Sequence, residues 1–337
     1  MKAVAYQQQG AIERTDALVD VELPIPEAKG YDLLVKVTAI SVNPVDTKVR
    51  RNVSAEAGQW KVLGWDATGT VVAVGEKVRH FKVGDAVWYA GDITRAGTNA
   101  EYHVVDERIV GHKPQSLSFA EAAALPLTAI TAWEMLFDRL RVQEPVAGAA
   151  PSILIIGAAG GVGSVTLQLL KAKTNLQIIA TASRPETEAW VKQLGADAVL
   201  SHHQPLQPQL EQLGLPAPSF VFSIQHSHDY VVQIAELIAP QGRFGLIDDP
   251  EHLNVMPFKR KSVSIHWESM FTRSTFQTAD ISQQSKLLNE VAALVDAGKI
   301  STTLTDVFGK IDAENLKKVH ALLEQGVVKG KIVLEGF

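Results

Sequence analysis

The 337-residue chain reads as an α/β protein: a doubly wound parallel sheet joined to a smaller β-rich unit. Three observations lead there. From Ser152 onward, short aliphatic strands alternate with helical segments, the pattern of strands joined by crossover helices. The first of these strands, Ile153-Leu-Ile-Ile156, runs into the glycine-rich turn Gly157-Ala-Ala-Gly160-Gly161-Val162-Gly163 and then straight into a helix. Before about residue 115 the pattern differs: short strands separated by glycine turns, as in a small barrel or sandwich.

In chain order, Met1–Tyr6 reads as a strand and lacks the apolar run of a secretory signal. Leu33–Ile40, Thr68–Val74 and Asp85–Tyr89 follow as strands, parted by Val74-Gly-Glu-Lys77 and Lys82-Val-Gly-Asp85; Trp88 and Tyr89 suit a barrel core. Ser118-Phe-Ala-Glu121 is a capping box ahead of an apolar helix, and a second alanine-rich helix covers Thr128–Leu140. The alternating region then gives strands at Ile153–Ile156, Leu176–Thr181, Ala198–Leu200, Phe220–Ile224, Arg243–Ile247 and Ser262–Trp267. Pro185 suits the first turn of one connecting helix and Gly195 its end. The Gln/Pro-rich segment His203–Gln212 reads as a surface connection. After an irregular stretch beyond Trp267 come a helix over Gln283–Ala297, a strand around Thr302–Val307 and a last strand at Lys331–Leu334. Lys331 itself reads as an ordinary surface lysine.

Composition narrows the function. Hydrophobic residues make up 46% of the chain and the net charge is −5, which disfavours nucleic acid or an anionic membrane as the main partner. The uncharged, largely apolar run Ala122–Trp133 is far short of the ~20 residues that span a bilayer. There is no cysteine, hence no disulfide and no thiolate metal site. The ten histidines show no ligand spacing on a helix, and the neighbours His202 and His203 would point apart in a strand. A cytoplasmic protein without a metal is expected.

The glycine turn carries the chemistry. Glycines let backbone N–H groups approach a pyrophosphate, and the positive end of the following helix faces the anion. About 20 residues further on, an NAD-binding chain places an acid on the ribose 2′-hydroxyl. Here the segment is Thr181-Ala-Ser183-Arg184. A serine hydroxyl and a guanidinium fork suit a 2′-phosphate, so NADP(H) is favoured over NAD(H). Ligands of such sheets lie beyond the carboxyl ends of the strands, which adds Ser223 near the adenosine ribose and Leu246 and Ile247 near the nicotinamide.

The chain as a whole resembles the medium-chain dehydrogenase/reductases, most closely their zinc-free quinone oxidoreductase branch. The resemblance rests on Ser41-Val-Asn43-Pro-Val-Asp46, Gly64-Trp65-Asp66-Ala-Thr-Gly69, Val83-Gly-Asp85, Ala123-Ala-Leu-Pro126-Leu-Thr128, the glycine turn and the closing Gly330-Lys331-Ile-Val-Leu334. It implies a GroES-like barrel, residues 1–122 completed by 270–337, and a Rossmann domain at 123–269 with the cofactor in the cleft between. Zinc members of the family have a cysteine where this chain has Asn43, and Gly-His-Glu where it has Gly64-Trp65-Asp66. Both ligand positions are therefore lost.

Without a Lewis acid, an ordinary alcohol has nothing to stabilise its alkoxide. A quinone or an α,β-unsaturated ketone delocalises the incoming charge, so positioning and one or two hydrogen bonds suffice. The expected reaction is NADPH-dependent reduction of a quinone or related activated carbonyl. Reduction of an enone or enal double bond is one alternative, and a non-catalytic NADPH-binding sensor another. The resemblance puts Asn43 and Asp46 beside the nicotinamide as catalytic residues, though Asn-Pro also suits a turn and Asp46 its cap. Thr128 is expected at the nicotinamide end. Trp65 is either an apolar wall for a planar substrate or barrel packing, and Phe271, Arg273 and Phe276 are candidates for the substrate cleft. The edge strand Ser262–Trp267 is expected to pair across a homodimer axis.

Overall fold

The computed structural model describes residues Met1–Phe337, which divide into two compact units, Met1–Ile130 with Phe271–Phe337, and Thr131–Met270. The junction falls after Ile130 rather than after Ala122, because the helix that begins at Pro126 is still anchored to the first unit through its Leu127 amide.

The first unit opens with β1 (Lys2–Tyr6), flanked by β2 (Val19–Glu22) and later by β4 (Lys61–Val62) in a small antiparallel sheet. Its long central strand is β3 (Asp32–Ser41), followed by α1 (Pro44–Asn52), β5 (Asp66–Val74), β6 (Ala86–Tyr89), β7 (Tyr102–Asp106) and β8 (Val110–His112). Where the sequence suggests only a turn at Asn43-Pro44, the chain continues into the nine-residue α1. Pro44 sits at the first helical position, where its missing N–H costs nothing, and the Asp46 carboxylate accepts the Asn43 N–H at 2.8 Å. The capping box at Ser118 forms as read: the Glu121 N–H donates to Ser118 Oγ and the Ser118 N–H to Glu121 Oε2, starting α2 (Phe119–Ala123). α3 (Pro126–Trp133) follows.

In place of one continuous helix to Leu140, α3 gives way to a π-helical turn over Glu134–Arg139, closed by the Leu140 N–H on Met135 O. The widened turn lets Met135 lie against the backbone of Gly245, where a Cβ would come within 2.3 Å of its sulfur. The second unit is a six-stranded parallel sheet in the order β11-β10-β9-β12-β13-β14. Its elements are β9 (Ala150–Ile156), α4 (Gly161–Lys173), β10 (Gln177–Thr181), α5 (Pro185–Gln193), β11 (Ala198–Leu200), α6 (Leu206–Gln212), β12 (Pro218–Ser223), α7 (Ser227–Leu237), β13 (Arg243–Leu246) and β14 (Ser264–Trp267). Ile153 to Ile156 are all buried because helices cover both faces of the sheet, so the strand is uniformly apolar rather than alternating. α4 is buried almost all round: Val165 and Leu169 are inside as read, while Val162 and Ala172 at the two ends are half-buried. The segment His203–Gln212 is not merely a connection. Leu206 and Leu210, four apart on one face of α6, are buried in the main core of this unit, and Gln209 bonds Ser201 through both its amide groups.

The chain then returns to the first unit with α8 (Thr272–Thr275), α9 (Gln283–Asp296), β15 (Leu304–Val307), α10 (Ala313–Glu324) and β16 (Lys331–Glu335). β16 pairs antiparallel with β3, Val333 opposite Ser41, and completes a sheet of order β15-β16-β3-β5-β6-β8 with β7 also on β3. That register brings the end of the chain beside Val42 and Asn43. No helix is long and apolar enough to cross a membrane.

Candidate active site

In the second unit the glycine turn forms the cradle that the sequence suggests. Gly157 has φ +82°, a left-handed conformation that side chains rarely adopt, and its N–H donates to Thr181 Oγ1 at 3.0 Å, tying the turn to the end of β10. Gly163 provides close packing: a Cβ there would lie 2.4 Å from Ala158 O. Gly160 does something else. A Cβ at this N-cap position of α4 would meet nothing nearer than Gly157 O at 4.0 Å, so its missing side chain leaves room above the helix terminus. Gly161 and Val162 form the first turn, with their amides at the positive end of the α4 dipole. The residues thus fit a dinucleotide pyrophosphate.

The strand order reverses between β9 and β12, and the predicted contacts line up along that edge. Ser223 ends β12, but its hydroxyl is buried and donates to Ser227 Oγ at 2.8 Å; Ser227 in turn donates to Asp248 through its O–H at 2.6 Å and its N–H at 2.7 Å. Leu246 is buried at the end of β13 and Ile247 half-buried just beyond. Ser183 and Arg184 lie past the end of β10. Arg184 carries an acidic neighbour that spacing alone did not suggest: its Nε is 3.0 Å from Glu186 Oε1 on the first turn of α5. Ser183 Oγ is 2.9 Å from His202 Nε2. The two histidines do not point apart, because they lie beyond β11 and not within it; their ring centroids are 4.6 Å apart.

In the first unit, Asn43 and Asp46 belong to a buried polar cluster with Asp66 and Lys331. Asn43 Nδ2 donates to Asp66 Oδ2 at 2.8 Å, and Lys331 Nζ donates to Asn43 Oδ1 and to Val42 O. Lys331 Nζ also lies 3.4 Å from Asp66 Oδ2, and the Leu127 N–H donates to Asp66 Oδ1 at 2.7 Å. Lys331 is therefore no surface lysine: it is 4% exposed. Burial pushes the Asp66 carboxyl up and the Lys331 ammonium down, while their mutual attraction and the Asn43 and Leu127 donors oppose those shifts. Asp46 is pushed up to about 7, by burial first, against the Asn43 N–H and the Lys331 charge.

Around this cluster, Trp65 is buried edge-on to Phe271, centroids 5.9 Å apart, with its Nε1–H on Asp92 O at 3.3 Å. Phe276 does not join that wall; it is 74% exposed at the end of α8. Arg273 is buried with Nε 3.0 Å from Asp280. Thr128 is buried and its hydroxyl donates to Leu125 O, a bond inside its own helical turn. Trp88 and Tyr89 are core residues. Asp66, Lys331 and His202 were missed as site residues. The only signals for the first two were their places in the Gly64-Trp65-Asp66 and Gly330-Lys331 motifs.

A parallel sheet with a glycine cradle, in a chain that also forms a barrel-like antiparallel unit with a buried polar cluster, is the architecture of an oxidoreductase. The chain matches the alcohol dehydrogenase GroES-like domain over residues 29–129 and the zinc-binding dehydrogenase family over residues 194–334. It is 38% identical to a zinc-type alcohol dehydrogenase-like protein of Staphylococcus aureus (strain MSSA476), over 99% of both chains. Its fold is similar to that of a putative zinc-dependent alcohol dehydrogenase from Rhizobium etli CFN 42 (57% identity, TM-score 0.98, covering 100% of this chain and 98% of that one). It is also similar to a quinone oxidoreductase of Pseudomonas syringae pv. Tomato DC3000 (27% identity, TM-score 0.82, 99% of each chain). The protein belongs to the medium-chain dehydrogenase/reductase superfamily.

The residues present do not fit the zinc named in some of these descriptions. Asn43 Oδ1 is taken by an ammonium group, Trp65 offers an indole that is no zinc ligand, and no three His, Asp or Glu side chains gather to hold a metal ion. A cation placed beside Asn43 would also face the Lys331 charge.

Proposed function

We propose that the protein is an NADPH-dependent, zinc-independent oxidoreductase that reduces quinones or related activated carbonyls. The observation that carries this reading is the Asn43–Asp66–Lys331 cluster, an internally paired network built on Asn43 and on the Gly64-Trp65-Asp66 segment, which stand where zinc members of the family have a cysteine and Gly-His-Glu. Such a site suits an acceptor that delocalises its own developing charge. When bound, NADPH supplies the hydride. Gly157, Gly160 and Gly163 shape the turn for its pyrophosphate, and Ser183 and Arg184 distinguish its 2′-phosphate. Lys331 fixes the Asn43 amide by holding its oxygen, and Asp66 by accepting from its nitrogen. The Trp65–Phe271 pair, with Trp65 only 2% exposed, packs the interior of the first unit. The protein is further proposed to be cytoplasmic and to form a homodimer through β14, the last strand of the parallel sheet, where Trp267 is 54% exposed.

Two experiments test this. In the first, Arg184→Ala weakens NADPH binding at least tenfold more than NADH binding, since one lost charge-assisted contact is worth about 1.5–3 kcal/mol; equal losses for the two refute the phosphate assignment. The second is a substrate panel of 1,4-benzoquinone, a naphthoquinone and alkenals. Turnover of alkenals alone overturns the quinone reading in favour of double-bond reduction, and cofactor binding with no turnover at all leaves a sensor.

A further inference from the structure

The ends of β10 and β11 are held level, with Thr181 opposite Leu200 and the Ala182 N–H on Leu200 O at 3.0 Å. Just beyond this ladder, each strand sends one side chain to the same corner: Ser183 from β10 and His202 from β11, Oγ to Nε2 at 2.9 Å. Arg184 is the next residue and starts α5. The charged and titratable groups facing His202 are Arg184 and its own neighbour His203, with Glu186 standing behind Arg184. His202 is exposed and lies in no other hydrogen bond of the fold.

We propose that His202 is a proton-controlled specificity residue, whose protonated form strengthens the hold on the 2′-phosphate and makes the preference for NADP(H) over NAD(H) depend on pH. This rests on the assignment of Ser183 and Arg184 to that phosphate. The reasoning follows one hydrogen atom. A neutral His202 with a bare Nε2 takes the Ser183 O–H as its donor, so that hydrogen is not offered to a phosphate oxygen. A protonated His202 instead donates Nε2–H to Ser183 Oγ, and the serine hydrogen becomes free to donate outward. The same protonation adds a positive charge beside Arg184; NAD(H), with a neutral 2′-hydroxyl in place of the phosphate, gains at most a neutral hydrogen bond from the first change and nothing from the second.

The electrostatics set the direction. Burial, His203 and Arg184 hold His202 below its usual 6.5. A doubly charged phosphate favours the imidazolium, so it raises that value and binding takes up a proton in the window between. NADPH therefore binds more tightly as the pH falls, until the phosphate itself takes up a proton near about 6.

The test compares dissociation constants for NADPH and NADH between pH 6 and 8.5, in the wild type and in His202→Gln, which keeps a hydrogen-bonding group but cannot carry charge. In the wild type the ratio of the NADH to the NADPH constant falls about three- to fivefold across this range, part of the tenfold that one pKa unit of coupling allows, and in His202→Gln it is nearly flat. Calorimetry in two buffers of different ionisation enthalpy finds proton uptake with NADPH in the wild type only. An unchanged NADH constant in the variant reports an intact fold. If NADPH is preferred but both proteins follow the same pH profile, His202 has no such role. If NADPH binds no tighter than NADH at any pH, the phosphate assignment itself fails.

Discussion

Replacing Lys331 with methionine tests the buried cluster at its centre. The substitution removes an ammonium that donates to Asn43 Oδ1 and Val42 O and lies 3.4 Å from Asp66. Methionine fills much of the space but leaves the Asp66 carboxylate buried without its cation. Breaking a buried pair from one side costs about 3–5 kcal/mol. Asp66→Asn costs a similar amount, because the ammonium then lacks its counter-charge, yet the new side chain still offers an oxygen to the Leu127 N–H. The double variant removes both charges together, so its cost falls short of the sum by about 2 kcal/mol, within the range for contacting residues. The assay is urea-dependent hydrogen exchange read by mass spectrometry on peptides spanning residues 41–47 and 125–130, which isolates the first unit from the second. Costs that add to within about 0.5 kcal/mol would show that the two groups are not coupled. The same variant carries a functional readout: with Asn43 released from Lys331, kcat for quinone reduction falls about tenfold, the scale of a modest loss of positioning, while NADPH affinity is unchanged.

Two glycines of the cradle separate space from packing. Gly160→Ala places a methyl group whose nearest neighbour in the protein is Gly157 O at 4.0 Å, so it leaves thermal stability within about 0.5–1 kcal/mol but lowers cofactor affinity tenfold or more in a titration. Gly163→Ala drives a Cβ to 2.4 Å from Ala158 O, and the backbone must move; it costs about 1–3 kcal/mol in stability as well as cofactor binding. Asp46 gives a pH prediction. Its carboxyl titrates at about 7 in the fold against 3.8 when unfolded, so between those values the native state holds more protons and stability falls as the pH rises, levelling off above about 7. Asp46→Asn keeps an acceptor for the Asn43 N–H and abolishes that slope, for a gain of up to about 4 kcal/mol at pH 8 in the first unit's unfolding; a variant with the wild-type slope would show that another group is responsible.

The parallel sheet was legible because its signals are local. Ile153–Ile156 is a four-residue aliphatic run closed by glycine, and the crossover pattern repeats it. The cradle was legible for the same reason, although the separate roles of Gly157 and Gly163 emerge only from the folded backbone. The cluster was only half legible. Asn43 and Asp46 are three residues apart at the start of a helix, but Lys331 lies 288 residues from Asn43 and meets it only because β16 pairs with β3 in one register. A lysine at the start of a strand gives no sign that it is inside. α6 was hidden by its glutamines and prolines, which outweighed two leucines at helical spacing. Phe271 and Phe276 are close in sequence, but the short α8 between them turns one inward and leaves the other in solvent. His202 has no ligand spacing in sequence, and its relation to Ser183 exists only once β11 lies beside β10.

The central claim is hydride transfer from NADPH to a charge-delocalising acceptor with no metal involved. It is tested most directly by NADPH consumption with 1,4-benzoquinone, before and after exhaustive dialysis against a zinc chelator, alongside metal analysis of the same sample. The account expects quinone-dependent turnover, the same rate after chelation and no stoichiometric zinc. Turnover that disappears with the chelator and returns on adding Zn²⁺ would contradict it.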